Sequence, residues 1–352
     1  MTSSTSNSDA RSVPRSRWRR LRYAGWGLLI AAVLLGVLDA QVFRSAYTYD
    51  LGGASGARGG SIGQWAHIDR AFLAADPAKI EYAIFGDSQS IDALRPDAMA
   101  AALGVEPSLI FNFSVTGGKP SDNAYTYRTY IDRMPNLRKV IYIVNEHQFN
   151  NADVGTDVKF KFHARLGERL RALDTDNYGE LLTGWALRSF GLRGEWSSLV
   201  QRYRDGKWPA EPHTYPGGIQ PTTWSPPENL SESYAREVAD RWFRDWKPDG
   251  VHTQQFAWLI EDMRVRRGLE VAVLQLPRTG WFENIVARDY AVELGQYFAE
   301  IKAVEEKLGG AGLVVIDGAE AGLTLDDFRD ANHVNVAGAD KLSRYVAERW
   351  WQ

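Results

Sequence analysis

Five short apolar runs, at 80–85, 109–113, 140–144, 269–274 and 313–316, constrain this chain more than anything else in its 352 residues. Each is four to six residues long, and glycine, asparagine or another polar residue follows closely behind most of them. Near-continuous apolar runs of that length suit strands buried on both faces. Helical patterns separate them, clearest at about 231–246, 254–267, 286–308 and 335–350. Strands alternating with helices predict a three-layer α/β/α domain around a five-stranded parallel sheet, flavodoxin-like in order. In such sheets ligands bind beyond the carboxyl ends of the strands. The polar residues of this chain gather at those ends.

The N-terminus predicts a different environment. Arg11, Arg15, Arg17, Arg19, Arg20 and Arg22 precede an apolar run from Ala24 to Leu38 that continues through Phe43 with only Asp39 charged. About 20 residues cross a bilayer core, and the basic cluster ahead of the run orients the N-terminus toward the cytoplasm. The expected layout is a cytoplasmic basic tail over 1–22 and a transmembrane anchor over 23–43. A tether and entry segment over 44–77, Gly-rich at 51–60, leads to an extracytoplasmic domain over 78–352. A cleavable signal peptide, with Leu38-Asp39-Ala40 as a poor cleavage site, is the rival reading; both export the domain. With 44 % apolar residues the chain can build a full core. Its net charge of −3 gives no global reason to expect nucleic acid. The absence of cysteine removes disulfides, thiolate metal sites and a cysteine nucleophile. The stretch at about 150–230 breaks the rhythm with Trp185, Trp196, Trp208 and Trp224 and with six prolines. It reads as an insertion over the strand ends, a substrate-shaping lid, whose tryptophans either stack on sugar rings or simply pack.

Four short motifs carry chemistry. Gly86-Asp87-Ser88-Gln89-Ser90 follows the first run, where a turn into a helix can expose the Ser88 hydroxyl and aim its N–H at a developing oxyanion. Asn112-Phe113-Ser114-Val115-Thr116-Gly117-Gly118 follows the second, and small residues there let a backbone N–H approach a ligand. Asn145 follows the third, offering a side-chain amide. Asp330-Ala331-Asn332-His333 precedes the last helical stretch: a carboxylate that fixes the imidazole tautomer, and an imidazole that accepts the serine proton. Each motif alone also fits plain turn, capping or structural roles. Metal binding at Asp330 and His333 is disfavoured because no further ligand spacing lies nearby.

In this order the four motifs resemble the SGNH/GDSL hydrolase superfamily, over roughly 78–150 and 268–350. The resemblance implies Ser88 as nucleophile, with Asp330 and His333 as the paired base. It also implies an oxyanion hole from the Ser88 N–H, a glycine N–H at Gly117 or Gly118 (Gly117 preferred), and Asn145. The chain departs from the pattern in having Gln89 where Leu often follows, and Val144-Asn145-Glu146 in place of Gly-x-Asn-Asp; His147 competes for the Asn145 role.

The anchor, the Asn-Phe-Ser-Val-Thr-Gly-Gly turn and the Asp-x-x-His-x-Asn-x-x-Gly-Ala ending are similar to exported polysaccharide O-acetylation proteins, such as those acting on alginate. They are also similar to the D-alanine transfer protein of teichoic acids. That resemblance implies a single-pass inner-membrane serine acyltransferase or esterase acting on O-acyl groups, acetyl above all, of an exported polysaccharide. A membrane-bound O-acyltransferase would be its donor partner. No metal, organic cofactor or nucleic acid is expected. The alternative is a non-catalytic polysaccharide-binding or scaffolding protein of a cell-surface assembly.

Overall fold

A computed structural model describes residues 15–50, 62–174, 177–206, 215, 217–219, 221, 229–308 and 312–351. Five strands form one parallel sheet: β1 (Tyr82–Phe85), β2 (Ile110–Asn112), β3 (Lys139–Ile143), β4 (Glu270–Gln275) and β5 (Val314–Val315). Their order is β2-β1-β3-β4-β5, the expected flavodoxin-like order. The register aligns Tyr82 with both Ile110 and Lys139, Lys139 with Glu270, and Leu274 with Val314.

Seventeen helices are named along the described residues. Before the second strand come α1 (Arg15–Gln41), α2 (Ala46–Asp50), α3 (Gln64–Ala74), α4 (Ser88–Ala93) and α5 (Pro96–Leu103). Between the second and fourth strands lie α6 (Pro120–Tyr130), α7 (Glu146–Phe149), α8 (Val158–His163), α9 (Leu166–Arg171), α10 (Tyr178–Ala186), α11 (Arg188–Gly191), α12 (Arg193–Arg204), α13 (Glu232–Phe243) and α14 (Val251–Glu261). The last are α15 (Gly280–Asp289), α16 (Ala291–Leu308) and α17 (Val336–Trp350).

Side chains alternate across a strand, and here the alternation divides the core in two. Ala83, Phe85, Phe111, Val140, Tyr142 and Val273 face one layer with α3, α6, α14 and α16. Ile84, Ile110, Ile141, Ile143 and Leu274 face the other, where Met99 and Ala100 of α5 meet Leu342 and Val346 of α17. Both faces are dry, which is why the strands read as continuous apolar runs.

Several boundaries differ from the sequence expectation. The stretch expected as one helix over 286–308 breaks at Tyr290, between α15 and α16. The one expected over 254–267 ends its α-helical part at Glu261 and continues as a π-type turn over Asp262–Arg266. The Gly-rich centre of the expected tether lies outside the described residues. Its flanks are ordered: Tyr49 of α2 and Trp65, Ile68 and Phe72 of α3 are buried in the main core.

The stretch at 150–230 is largely helical where described. Helix α8 packs on α6, and α11 contacts α1. Farther on, Gly217 accepts a 2.8 Å hydrogen bond from the N–H of Asn112, covering the edge strand β2. Trp196 donates to the Ser189 carbonyl and lies 6.1 Å from the Phe43 ring, a packing role. Trp208 and Trp224 lie outside the described residues.

Helix α1 contains a 24-residue span, Trp18–Gln41, that is long and apolar enough to cross a membrane, with no part of its most apolar window buried.

Candidate active site

The turn after β1 is tight because Gly86 has no room for a side chain. A Cβ there would lie 2.4 Å from Ser90 Oγ and 2.9 Å from Ile143 Cβ. The chain enters α4 with Asp87 as N-cap, its carboxylate accepting the Gln89 N–H at 2.9 Å. Ser88 is thereby the first helical residue and stays partly exposed while Asp87, Gln89 and Ser90 are buried.

Asp330 and His333 sit on a loop closed by an antiparallel bridge between Phe328 and Val334. The carboxylate accepts the backbone N–H groups of Asn332 and His333 at 3.0 and 2.9 Å. It also receives His333 Nδ1, 2.9 and 3.0 Å from its two oxygens. A carboxylate only accepts, so Nδ1 carries the proton and Nε2 is the free base. That Nε2 lies 2.8 Å from Ser88 Oγ. Ser88, His333 and Asp330, 245 and 242 positions apart in the chain, thus form one continuous hydrogen-bonded relay.

Electrostatics keep the relay poised. Burial pushes the Asp330 carboxyl up, but the His333 hydrogen bond and charge, the Asn332 N–H and the Arg329 guanidinium outweigh it and hold it at about 2. Burial pushes His333 down, yet the hydrogen bond and charge of Asp330 raise it above its ordinary value of 6.5. Asp330 therefore stays ionised throughout the range in which His333 titrates.

Three further contacts hold the loop in place. Gln89 Nε2 donates to the Asn332 carbonyl at 2.7 Å, tying the helix of Ser88 to the loop of His333. Thr279, just past β4, donates its N–H and hydroxyl to the Ala331 carbonyl at 3.0 and 2.9 Å. Arg329 bridges Asp92 of α4 and Asp330 at 3.3 and 3.2 Å. Gln89 is the residue at which the chain departs from the usual Gly-Asp-Ser-Leu pattern, and here it has a structural use.

The second motif lies directly against the first. Asn112 donates from Nδ2 to the Ser90 and Leu94 carbonyls and accepts the Ser114 N–H; Ser90 Oγ donates to Ser114 Oγ at 2.7 Å. Gly117 has φ +58°, the left-handed region that glycine favours. Gly118 has no space for a Cβ, which would lie 2.6 Å from the Gly86 carbonyl and 2.8 Å from that of Val115. Its N–H donates to the Val115 carbonyl at 2.8 Å and is thereby engaged within the turn.

Asn145 is fully buried beside this turn, and its Nδ2 donates to Asp87 Oδ2 at 2.9 Å. One of its two N–H groups is thereby engaged with the residue preceding Ser88, and the other has no hydrogen bond among the described residues. His147 lies on the same carboxylate, Nε2 3.4 Å from Asp87 Oδ2, with its ring 4.5 Å from that of Trp242. Burial lowers its pKa to about 4 despite the Asp87 charge. His147 is thus neutral at pH 7 and contacts the Asp87 carboxylate as Asn145 does. Glu146 between them is buried in a salt bridge with Arg278, which also pairs with Glu283 at 2.7 Å.

Sequence reasoning missed what lies behind the glycine turn. Lys159 of α8 donates to the carbonyls of Thr116 and Gly117 at 2.9 and 2.5 Å, and its ammonium is 3.3 Å from the buried Asp122. Asp122 also meets His163 Nε2 at 2.7 Å and accepts the Lys119 N–H at 2.9 Å. A lysine in an insertion offers no motif to find; only its position under the turn reveals it. A cavity of about 500 Å³ opens at the ends of β4 and β5, bordered by Thr279, Asp317 and Phe328, on the loop carrying Asp330.

Compared with known proteins, the chain matches no family model, and no curated protein is significantly similar to it.

Proposed function

We propose that this protein is a membrane-anchored serine acyltransferase or esterase that works through an acyl-Ser88 intermediate. The observation that carries the reading is the relay from Ser88 Oγ to His333 Nε2 at 2.8 Å, with Nδ1 held by Asp330. In this mechanism Ser88 Oγ attacks the acyl carbonyl carbon while its proton passes to His333 Nε2. The imidazolium then gives that proton to the leaving alkoxide as the ester C–O bond breaks. Asp330 remains a carboxylate throughout and stabilises the imidazolium. A water or a sugar hydroxyl reverses the steps, its proton going to His333 and the acyl group leaving Ser88. The Ser88 and Gly117 N–H groups and the remaining N–H of Asn145 hold the oxyanion.

The polymer we assign is an exported polysaccharide: the O-acylated substrate of an esterase, or, for a transferase, the hydroxyl acceptor of acyl groups supplied by a membrane-bound acyltransferase. The support is the four-motif order shared with the superfamily and the apolar helix α1 behind an arginine cluster. That arrangement would hold the site close to a membrane partner on the extracytoplasmic side.

The test is turnover of a chromogenic acetyl ester by the full chain in detergent, beside Ser88→Ala and His333→Ala. The expected result is turnover, or a mass increase of one acetyl group on the parent, lost in both variants. If all three folded proteins give neither turnover nor adduct, or if Ser88→Ala remains active, the serine mechanism is overturned. With neither turnover nor adduct a non-catalytic polysaccharide-binding role takes its place; an active Ser88→Ala moves the chemistry to another residue.

A further inference from the structure

The last turn of α1 does not simply lead away from the domain; it is built into it. Asp39 is 2 % exposed, and its two carboxylate oxygens accept the N–H groups of Arg188 and Ser189 at 2.9 and 2.8 Å. Those are the first two residues of α11, so α11 begins at the level where the apolar helix ends. Phe43 packs on Trp196 of α12 just beyond. A 24-residue span is about 36 Å long at 1.5 Å per residue, against about 30 Å of hydrocarbon. The end of α1, and α11 with it, therefore falls in the headgroup layer of any bilayer that α1 crosses.

The surface presented at that level is apolar. Helix α10 buries Leu181 and Gly184 and turns Tyr178, Leu182 and Trp185 outward, a spacing of four and three that places them on one face. Leu187 and Phe190 continue the exposed set, with Trp185 42 % and Phe190 43 % accessible. The backbones of α10 and α11 touch through Gly184 and Gly191, where an added Cβ would lie 2.5–2.9 Å from the opposing Cα, so the pair is rigidly joined. Arg193 lies over the Phe190 ring at 4.5 Å, a cation at the rim of an aromatic patch. Tryptophan and tyrosine with flanking arginine are the side chains that settle at a membrane–water boundary.

Resting on the reading of α1 as a membrane anchor, we propose that α10 and α11 form a second, monotopic membrane contact. In this arrangement their outer face, led by Trp185 and Phe190, sits among lipid headgroups and upper acyl chains, and Asp39 fixes the anchor to it. The insertion is then a membrane seat that sets the height and tilt of the domain, and α8 beside it carries Lys159 to the glycine turn.

The chain has no cysteine, so single-cysteine variants of the full protein can be labelled cleanly. Trp185→Cys and Phe190→Cys would carry an environment-sensitive fluorophore, beside Val265→Cys as a solvent control and Leu34→Cys within α1. All would be reconstituted into vesicles of phosphatidylcholine with a minority of phosphatidylglycerol and no other protein. The expected result is strong quenching at 185 and 190 by shallow spin-labelled lipids, with several-fold protection from aqueous iodide relative to 265. If 185 and 190 behave like 265 while 34 is quenched by deep spin labels, the anchor stands and the membrane seat is overturned; the patch then belongs to a protein partner. If 34 is also quenched from water, the anchor reading fails and the seat fails with it.

Discussion

Ser88, His333 and Asp330 are ordinary residues placed by ordinary local structure: a capped helix start, and a four-residue loop that wraps a carboxylate around its own N–H groups. What the surroundings add is a direction of shift. His333 is raised by Asp330, so it is protonated, and useless as a base, below a pKa that lies above 6.5. Ester turnover is therefore expected to fall as pH drops through that value. In Asp330→Asn the main raising influence is gone, the lesser one of the Asp92 charge and the opposing burial remain, and the acid limb should move to lower pH. The rate should fall by about 10³–10⁴, since the tautomer is no longer enforced. A pH profile of kcat/KM checks both; an unchanged acid limb would remove Asp330 from the relay. The residue scale was the most legible one, since every member of the relay stood out by its motif. The contribution of Gln89 did not, because its partner, the Asn332 carbonyl, lies 243 positions away.

At the scale of elements, the site is a meeting of strand ends, each stabilised by a helix outside the motif. The strongest case is α8, whose Lys159 neutralises Asp122 and draws in the Thr116 and Gly117 carbonyls. Asp122 is fully buried, which opposes its ionisation, but the Lys159 charge and the His163 hydrogen bond hold it well below the usual carboxylate range. A carboxylate lowered in this way contributes stability above its unfolded pKa of about 3.9 that is lost as pH falls. Lys159→Met leaves the buried Asp122 with less compensation, at a cost of about 3 kcal/mol. The variant should lose its fold at higher pH on acidification than the parent. Urea melts of parent and variant at pH 7, and acid unfolding of both below about pH 4, measure the two effects, and equal parent and variant midpoints in each would show that Lys159 does not support the turn. The helix-rich insertion was the least legible element. Its prolines and tryptophans suggested an irregular lid, whereas its described part packs as short helices, α8 on α6, α10 and α11 on α8, and α12 on α2.

At the scale of the whole molecule, helix α1 and the domain are one object. Asp39 is the only charge within the span Trp18–Gln41 after its opening arginines, and its position is explained by two N–H groups of α11 that have no helical partner of their own. Asp39→Ala removes both acceptors and should weaken this junction by about 1–2 kcal/mol. Amide hydrogen exchange at Arg188 and Ser189 in the detergent-solubilised chain should quicken roughly tenfold, while exchange in β1 and β3 stays unchanged. Unaltered exchange at both amides would mean that α1 is not held by this contact.

The sequence by itself determined the sheet, because strands dry on both faces must be continuously apolar, and five such runs separated by helices leave few parallel topologies. It also determined the chemistry available at the strand ends, because a glycine turn and an Asp-x-x-His loop are local structures set by neighbouring residues. Only the tertiary structure decided that Ser88 and His333 come within 2.8 Å, that Lys159 supports the glycine turn, and that α1 is fastened to α11. Those contacts join residues far apart in the chain. The last two depend on how helices of the insertion pack, and such long-range packing leaves no local motif in a sequence to read.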